Sequence, residues 1–85
     1  MFVSIVIPLL NENESLIELH SGIKNAMVTN NYAYEVIFID DGSRDGSWDT
    51  INRIKQEDKN VKGIRFTRNY GKSQALHAGF KLAEG

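Results

Sequence analysis

The feature that most constrains the fold of this chain is an apolar run that ends abruptly at polar residues. Residues 36–39 read Val-Ile-Phe-Ile, and residues 40–43 read Asp-Asp-Gly-Ser. An unbroken apolar run of strand length is typical of a strand that is buried on both faces, as in a parallel sheet. Asp40 and Asp41 then lie at the carboxyl end of that strand, which is the edge where open α/β sheets bind ligands. The pattern predicts a parallel α/β sheet with a candidate site at this edge.

Two acidic side chains limit what such a site can bind. Carboxylates accept hydrogen bonds from a base or a ribose and ligate metal ions, but they repel phosphate when unaided. A plainer interpretation also fits, because Asp-Gly is a common turn pair and Asp45 suits the cap of a following helix. On these residues alone the turn is the simpler explanation, whereas their position after a buried strand supports a binding site.

Strand patterns flank this central run on both sides. Residues 2–7 are rich in β-branched side chains and predict a first strand. Pro8 is predicted to end it, because proline has no N–H to give to a ladder. Residues 61–66 predict a third strand, with Ile64 and Phe66 on the same face.

Three helices are predicted between and after the strands. The first follows a turn at residues 9–14 that offers two candidate caps, Asn11 and Asn13. It ends at residues 30–31, the second runs from 46 to about 58, and the third from 73 to about 84. Residues 53 and 55–58 are polar and predict a solvated surface.

Apolar spacing predicts the inner face of each helix. Gly79 costs the third helix about 1 kcal/mol relative to alanine, so close packing on the sheet is its predicted reason. His20 and His77 have no partner at metal-ligand spacing and are interpreted as packed or surface residues. The inner faces comprise Leu16, Leu19, His20, Ile23, Ala26 and Met27, then Trp48, Ile51 and Ile54, then Ala75, Leu76, Gly79, Phe80 and Ala83.

The resulting order is βαβαβα. Right-handed crossovers then give a three-layer fold around three parallel strands in the order 3-2-1, half of a doubly wound domain. All three strand ends, at residues 8–12, 40–43 and 67–72, share one edge. One end is acidic and another carries Arg68 and Lys72, so the edge suits a diphosphate with an attached base.

The position where the sequence stops also leads to a prediction. The sequence stops after a helix, where a fourth strand is expected beside strand 1. We therefore expect a C-terminally truncated piece of a larger protein with a native N-terminus at Met1. The uncovered edge of strand 1 predicts self-association, because an unpaired edge is a template for another chain.

Composition excludes several classes of function. The net charge of −1 argues against nucleic acid as a partner. The absence of cysteine excludes disulfide and thiolate chemistry. No apolar run approaches the roughly 20 residues of a membrane helix, and no basic segment precedes an apolar one as in a signal peptide.

Gly71-Lys72-Ser73 between a strand and a helix favours an alternative, a phosphate-binding P-loop. That motif needs another glycine five positions before Gly71, where Phe66 stands. A fragment of a P-loop nucleotide hydrolase is therefore the weaker enzyme hypothesis. A non-catalytic nucleotide-binding α/β module is the alternative that is not an enzyme.

Several motifs together resemble the opening of a family 2 glycosyltransferase. The segments are residues 4–12 (Ser-Ile-Val-Ile-Pro-Leu-Leu-Asn-Glu), 39–46 (Ile-Asp-Asp-Gly-Ser-Arg-Asp-Gly), 68–72 (Arg-Asn-Tyr-Gly-Lys) and 78–80 (Ala-Gly-Phe). Their order and spacing make the resemblance specific over essentially the whole chain. The last two segments are similar to polyprenyl-phosphate sugar transferases of the dolichol- and undecaprenyl-phosphate type, which serve cell-envelope or polysaccharide biosynthesis.

The resemblance implies a GT-A fold whose single nucleotide-sugar-binding domain begins with residues 1–85. Asp40 would contact the base, Asp41 would stabilise the turn, and Arg68 and Lys72 would lie near phosphate. Leu10 departs from the family, where an aromatic side chain is usual, so a ring that could stack on the base is missing. The implied nucleotide-sugar site comprises Pro8, Leu10, Glu12, Phe38, Asp40, Asp41, Arg68 and Lys72.

The resemblance also implies what these residues lack. The family's metal-binding Asp-x-Asp and its catalytic and acceptor regions would lie beyond Gly85, so no catalytic residue and no metal ligand is expected here. The parent enzyme would use Mg²⁺ or Mn²⁺ to neutralise the diphosphate leaving group. It would transfer sugar to a polyprenyl phosphate at the cytoplasmic membrane face, while this chain alone would be inert.

Overall fold

Three strands alternate with three helices, and the strands form one parallel sheet in the order β1-β2-β3. The computed structural model describes residues 2–68 and 71–83. The predicted βαβαβα order and the 3-2-1 arrangement of the strands are confirmed. The elements are β1 (Phe2–Leu9), α1 (Asn13–Thr29), β2 (Ala33–Asp40), α2 (Ser47–Glu57), β3 (Val61–Arg65) and α3 (Lys72–Leu82).

The central strand β2 is buried on both faces, as its apolar run predicts. Val36 and Phe38 pack into a core that α1 and α2 cover. Ile37 and Ile39 face the other way and pack with Ala75 of α3. Because successive side chains of a strand alternate between its faces, the unbroken apolar run at residues 36–39 lets β2 join two cores. The sheet is therefore the middle of three layers.

Pro8 does not end β1, which continues to Leu9 and pairs Pro8 with Ile39. The carbonyl of Leu9 accepts a hydrogen bond from the N–H of Asp41, so the polar groups of Leu9 face β2. The polar group of Pro8 therefore faces the opposite side, where no strand of the described residues lies beside β1. A proline on that side leaves the ladder intact, because its missing N–H would have no strand partner there.

The helix caps differ from those predicted. The residue before α1 is Glu12, and its side chain makes no capping bond, so neither Asn11 nor Asn13 is the cap. Gly46 precedes α2 with a φ of 91°, and Asp45 lies one position earlier. Its Oδ1 nevertheless accepts the N–H of Ser47 at 3.0 Å. Asp45 thus bonds to the first residue of α2, although Gly46 and not Asp45 occupies the N-cap position.

Helix α3 packs its small residues on the sheet and turns Phe80 outward. Ala75 is fully buried and Gly79 is buried. Phe80, predicted on the inner face, is 63% exposed. A helix turns about 100° per residue, so Phe80 points well away from the line through Ala75 and Gly79. The surface interpretation of His77 is confirmed, since its side chain is exposed.

Asp58, predicted to be solvated, is buried with His20 in a polar cluster at the amino end of the sheet. His20 Nε2 lies 2.8 Å from Asp58 Oδ2, and the hydroxyl of Tyr34 donates to the same oxygen at 2.7 Å. The N–H of Asn60 donates to Oδ1 at 3.0 Å. The cluster joins α1, the end of α2 and the start of β2. His20 is a packed residue, as predicted. Its partner is Asp58, which the polar pattern of residues 53 and 55–58 placed wrongly on the solvated surface.

Burial alone would raise the pKa of Asp58. Hydrogen bonds from His20, Tyr34 and Asn60 outweigh burial and hold that pKa below its usual value. A carboxyl whose pKa is lower in the folded state stabilises the fold in its ionised form. The contribution is complete above the usual aspartate pKa and is lost as the pH falls through the lower, folded-state pKa.

Replacing Gly79 with alanine is expected to destabilise the protein. A Cβ at this position would collide with Cγ1 of Val6 and would lie 2.7 Å from Cδ1 of Ile39. Overpacking of this kind costs about 1–3 kcal/mol, which exceeds the gain of about 1 kcal/mol in helix propensity. Gly22→Ala is the matched control, because a Cβ there meets nothing within 4 Å and should stabilise the protein. Urea unfolding measures both changes, and equal gains would contradict close packing at Gly79.

Replacing Asp58 with asparagine is expected to lower stability in a pH-dependent way. The loss should be about 1–3 kcal/mol at pH 7, the cost of buried hydrogen bonds to a charged group. It should shrink as the pH falls from about 4, near the usual aspartate pKa, through the lower pKa of Asp58 in the folded state. Urea unfolding from pH 7 to pH 2.5 measures the gap between wild type and Asp58→Asn. The exposed Asp49→Asn should show a small gap at every pH, and a constant gap for Asp58→Asn would refute the linkage.

Candidate functional site

Three loops meet at the carboxyl edge of the sheet, because all three strands run in the same direction. They are the β1–α1 loop (residues 10–12), the β2–α2 loop (residues 41–46) and the β3–α3 loop, of which residues 66–68 and 71 are described. The predicted meeting of the strand ends is confirmed. This edge carries the candidate site.

Asp40 ends β2 and is fully buried. Its Oδ1 accepts the N–H of Ser43 at 2.7 Å and closes the turn, while Gly42 supplies a positive φ of 91°. Its Oδ2 is buried and accepts no hydrogen bond from the described residues. A buried acceptor without a donor costs free energy, so this oxygen suits an N–H or O–H donor that a ligand supplies.

Asp41 links the end of β2 to the end of β1 and to the β3–α3 loop. Its N–H donates to the carbonyl of Leu9 at the end of β1. Its carboxylate Oδ2 accepts the N–H of Gly71, just before α3, at 2.9 Å. The resemblance implies that Asp41 stabilises the turn, but the turn is closed by Asp40. The carboxylate of Asp41 instead fixes the β3–α3 loop through Gly71.

The β2–α2 loop caps α1 from outside the helix. The N–H of Glu12 donates to Oγ of Ser47 at 3.2 Å, and the N–H of Asn13 donates to Oδ2 of Asp45 at 3.1 Å. Hydrogen bonds from the Ser47 hydroxyl and then from Asn13 hold the pKa of Asp45 below its usual value. These bonds satisfy donors that a helix start leaves unpaired, and they explain why α1 has no cap of its own.

A second pair of bonds fastens the tips of the same two loops. The N–H of Asn11 donates to Oγ of Ser43 at 2.8 Å, and Oδ1 of Asn11 accepts the N–H of Arg44 at 2.8 Å. Asn11 has a φ of 54°, a left-handed conformation that asparagine tolerates better than most residues. The β1–α1 and β2–α2 loops are therefore fixed to each other without a ligand.

A cleft of about 270 Å³ opens between the three loops. Leu10 is 39% exposed there and forms an apolar part of its wall. Two cationic side chains, Arg44 and Arg68, also line the cleft, and no acidic side chain does so among the described residues. The full lining is Leu10, Asn11, Gly42, Arg44, Thr67 and Arg68.

Two other concavities differ in chemistry. A neighbouring pocket of about 380 Å³ is lined by Glu12, Glu14 and Asp45 together with Asn11 and Ser15, and its acids would repel a phosphate. A larger groove of about 520 Å³, mostly apolar, runs between α1 and β1 away from the strand ends. Of these three concavities in the described residues, the three-loop cleft is the one that combines cationic, polar and apolar groups.

The residues implied by the resemblance have different relations to this cleft. Leu10 and Arg68 line it, and Asp40 lies buried at the end of β2. Glu12 faces the acidic pocket. Phe38 is fully buried in the core under α1 and α2, so it can only support the site from below. The side chain of Lys72 lies outside the described part of the structure.

Sequence reasoning missed Arg44 and Thr67. Arg44 follows the Asp-Asp-Gly-Ser motif directly, and Thr67 precedes the Arg68 that was identified. Both belong to loops at the predicted edge, so their position was the available signal. Neither residue type has a diagnostic spacing of its own.

The geometry around Gly71 argues against a P-loop. A P-loop uses backbone N–H groups at this point to cradle phosphate. The N–H of Gly71 instead donates to the carboxylate of Asp41. A phosphate at this N–H would meet a negative charge.

Neither a metal centre nor a membrane segment is found in residues 2–68 and 71–83. No three histidine, aspartate or glutamate side chains in these ranges are grouped to hold a metal ion. No helix within them has the length and apolar character needed to cross a membrane.

Known proteins resemble this chain in sequence along its whole length. It is 47% identical over 85 residues to an undecaprenyl-phosphate 4-deoxy-4-formamido-L-arabinose transferase of Shewanella sediminis, covering 99% of this chain and 26% of that protein. It is 36% identical over 85 residues to a bactoprenol glucosyl transferase of Shigella phage SfV, covering 100% of this chain and 28% of that protein. The chain thus spans about a quarter of the length of these relatives.

A solved structure and a family profile complete the comparison. The mannosyltransferase PcManGT from Pyrobaculum calidifontis, in complex with GDP-Man and Mn²⁺, superposes with a TM-score of 0.85. At 24% identity it covers 98% of this chain and 24% of its own, which establishes the fold as the N-terminal part of a GT-A structure. The profile of "Glycosyl transferase family 2" matches residues 4–85. This chain belongs to glycosyl transferase family 2.

Proposed function

We propose that residues 1–85 form the N-terminal portion of one nucleotide-sugar-binding domain, whose parent enzyme transfers sugar from a nucleotide diphosphate to a polyprenyl phosphate. The observation that carries the proposal is Oδ2 of Asp40, a buried acceptor at the end of the central strand for which the described residues supply no donor. Uracil and guanine both carry ring N–H groups that would satisfy it. Leu10 and Arg68 in the adjoining cleft suit the apolar and anionic parts of such a ligand.

The relatives support the choice of donor and acceptor. One is named for undecaprenyl phosphate and another for bactoprenol, and the structural neighbour holds GDP-Man. A lipid phosphate is already ionised at neutral pH, so its attack on the sugar depends on positioning and charge stabilisation more than on a strong base. We place this reaction at the cytoplasmic face of the membrane.

The described residues do not suit the divalent metal that the structural neighbour contains. They include no group of three possible ligands, and a carboxylate oxygen of each of Asp40 and Asp41 accepts a backbone N–H. We propose that Mg²⁺ or Mn²⁺ is held by other parts of the parent enzyme. The role of the present residues is to bind and orient the nucleotide.

Nucleotide binding by the chain tests the proposal. Amide NMR titrations with UDP, GDP and ATP should shift residues 10–12 and 40–43 with one of the two diphosphates. Asp40→Asn should raise that Kd at least about tenfold, because an amide group offers a donor where the base needs an acceptor. Asp49→Asn, an exposed aspartate on α2, should leave it unchanged.

Other outcomes would contradict the proposal. Shifts confined to residues 71–73 with ATP would favour a P-loop hydrolase, and a folded chain that responds to no nucleotide would refute the site. The purified chain should transfer no sugar to polyprenyl phosphate, whereas the parent protein should do so. Nucleotide binding without transfer by the parent would favour a non-catalytic module.

We also propose that the isolated chain self-associates through the outer edge of β1. Among the described residues, no strand pairs with the outward backbone groups of Phe2 and Val6, while Pro8 offers no N–H. Sedimentation velocity should show a concentration-dependent dimer. Val6→Pro would remove another outward N–H and should weaken it, and a wild-type monomer at the highest concentration would exclude the association.

A further inference from the structure

Arg44 lines the carboxyl-edge cleft, and the proposed function gives it no role. It lies on the β2–α2 loop, and its side chain is exposed. It shares the cleft with Leu10, Thr67 and Arg68. Its backbone N–H donates to Oδ1 of Asn11, which fixes the backbone of Arg44. Its side chain has no hydrogen-bond partner among the described residues.

The guanidinium of Arg44 forms no ion pair within the described residues. The ion pairs there join His20 to Asp58 and Lys62 to Glu35. Asp45, its neighbour in sequence, is bonded to Asn13 and Ser47 instead. A planar cation without an acidic partner is therefore available to a ligand in the cleft.

The cleft has an apolar wall but no aromatic side chain among the described residues that line it. Leu10 supplies that wall from the β1–α1 loop. Asn11 bonds to both Ser43 and Arg44, which fixes the backbone of residue 10 relative to that of residue 44. Leu10 and Arg44 thus line one cleft from two loops that are bonded to each other.

We propose that Arg44 stacks its guanidinium plane on the nucleobase of the donor, with Leu10 as the apolar wall of the same site. This inference rests on the proposed function. A guanidinium is attracted to the face of a π system and stacks well on planar rings. Because every base has such a face, stacking adds affinity without selecting the base. Arg44 then supplies affinity, and Asp40 selects bases that carry a ring N–H group, such as uracil and guanine.

Binding of nucleosides and nucleotides to variants tests this contact. Amide titrations would compare wild type, Arg44→Ala and Arg44→Lys with uridine, guanosine, UDP and GDP. Arg44→Ala should raise each measurable Kd about fivefold, by the same factor for a nucleoside and its diphosphate. Arg44→Lys keeps the charge but loses the plane, so it should resemble the alanine variant.

Two further variants sharpen the comparison. Arg53→Ala removes an exposed arginine on α2 and should leave every Kd unchanged. Leu10→Tyr, introduced into Arg44→Ala, adds a ring to the same cleft and should recover most of the lost affinity. Recovery for nucleosides and diphosphates alike would support stacking on the base.

The outcomes separate this inference from the function on which it rests. A loss seen only with diphosphates and restored by Arg44→Lys would mean a phosphate contact and would overturn stacking. If Arg44→Ala and wild type bind these ligands with equal affinity, the stacking contact is overturned, while the proposed donor site stands. A folded wild type that binds none of the four ligands would remove the proposed donor site, and the Arg44 contact with it.

Discussion

The burial of β2 on both faces is the constraint on which the rest of the structure depends. Its side chains enter one core under α1 and α2 and another under α3, so the strand cannot shift its register without exposing apolar surface. The end of the strand is fixed with it. Asp40 is therefore held at one depth in the molecule. One of its oxygens closes the turn, and the other accepts no hydrogen bond from residues 2–68 and 71–83.

The loops around Asp40 are fixed by polar contacts instead of apolar packing. Ser43 and Asp45 bond to the β1–α1 loop, and Asp41 bonds to the β3–α3 loop. A site assembled in this way loses little conformational freedom when a ligand binds, which favours affinity. The same contacts occupy donors that suit a phosphate, including the N–H of Gly71. The arrangement thus favours a ligand whose base enters the cleft over one held by phosphates alone.

The fold was largely readable from the sequence because its signals are local and repeated. The apolar run of β2, the β-branched β1 and the helical spacing of the helices each predict their element without reference to the others. Their order then leaves few topologies, since parallel crossovers are right-handed. The family followed from motifs at the strand ends. The small-residue stripe of α3 likewise predicted the close approach at Gly79.

What could not be read depends on contacts between distant residues. Pro8 remains in β1 because its polar groups face the free edge, a fact that the sequence around it does not contain. Asp58 looked solvated because its partners, His20 and Tyr34, lie far away in sequence. The groups that cap α1 come from another loop. Arg44 becomes a candidate site residue only because the fold places it in the same cleft as Leu10. These features could not be predicted because they depend on which side chains of different helices, strands and loops contact each other.

The position of α1 shows how these distant contacts serve the site. Only Leu16 and His20 are buried along this helix, whereas Ile17, Leu19 and Val28 are exposed, so apolar burial alone holds it weakly. Polar contacts fasten it at two places: Ser47 and Asp45 at its start, and Asp58 at His20. Both contacts come from α2 or its flanking loops. Because the β1–α1 loop continues directly into α1, the contacts that join α1 to α2 also hold this loop, which carries Leu10, beside the β2–α2 loop, which carries Arg44.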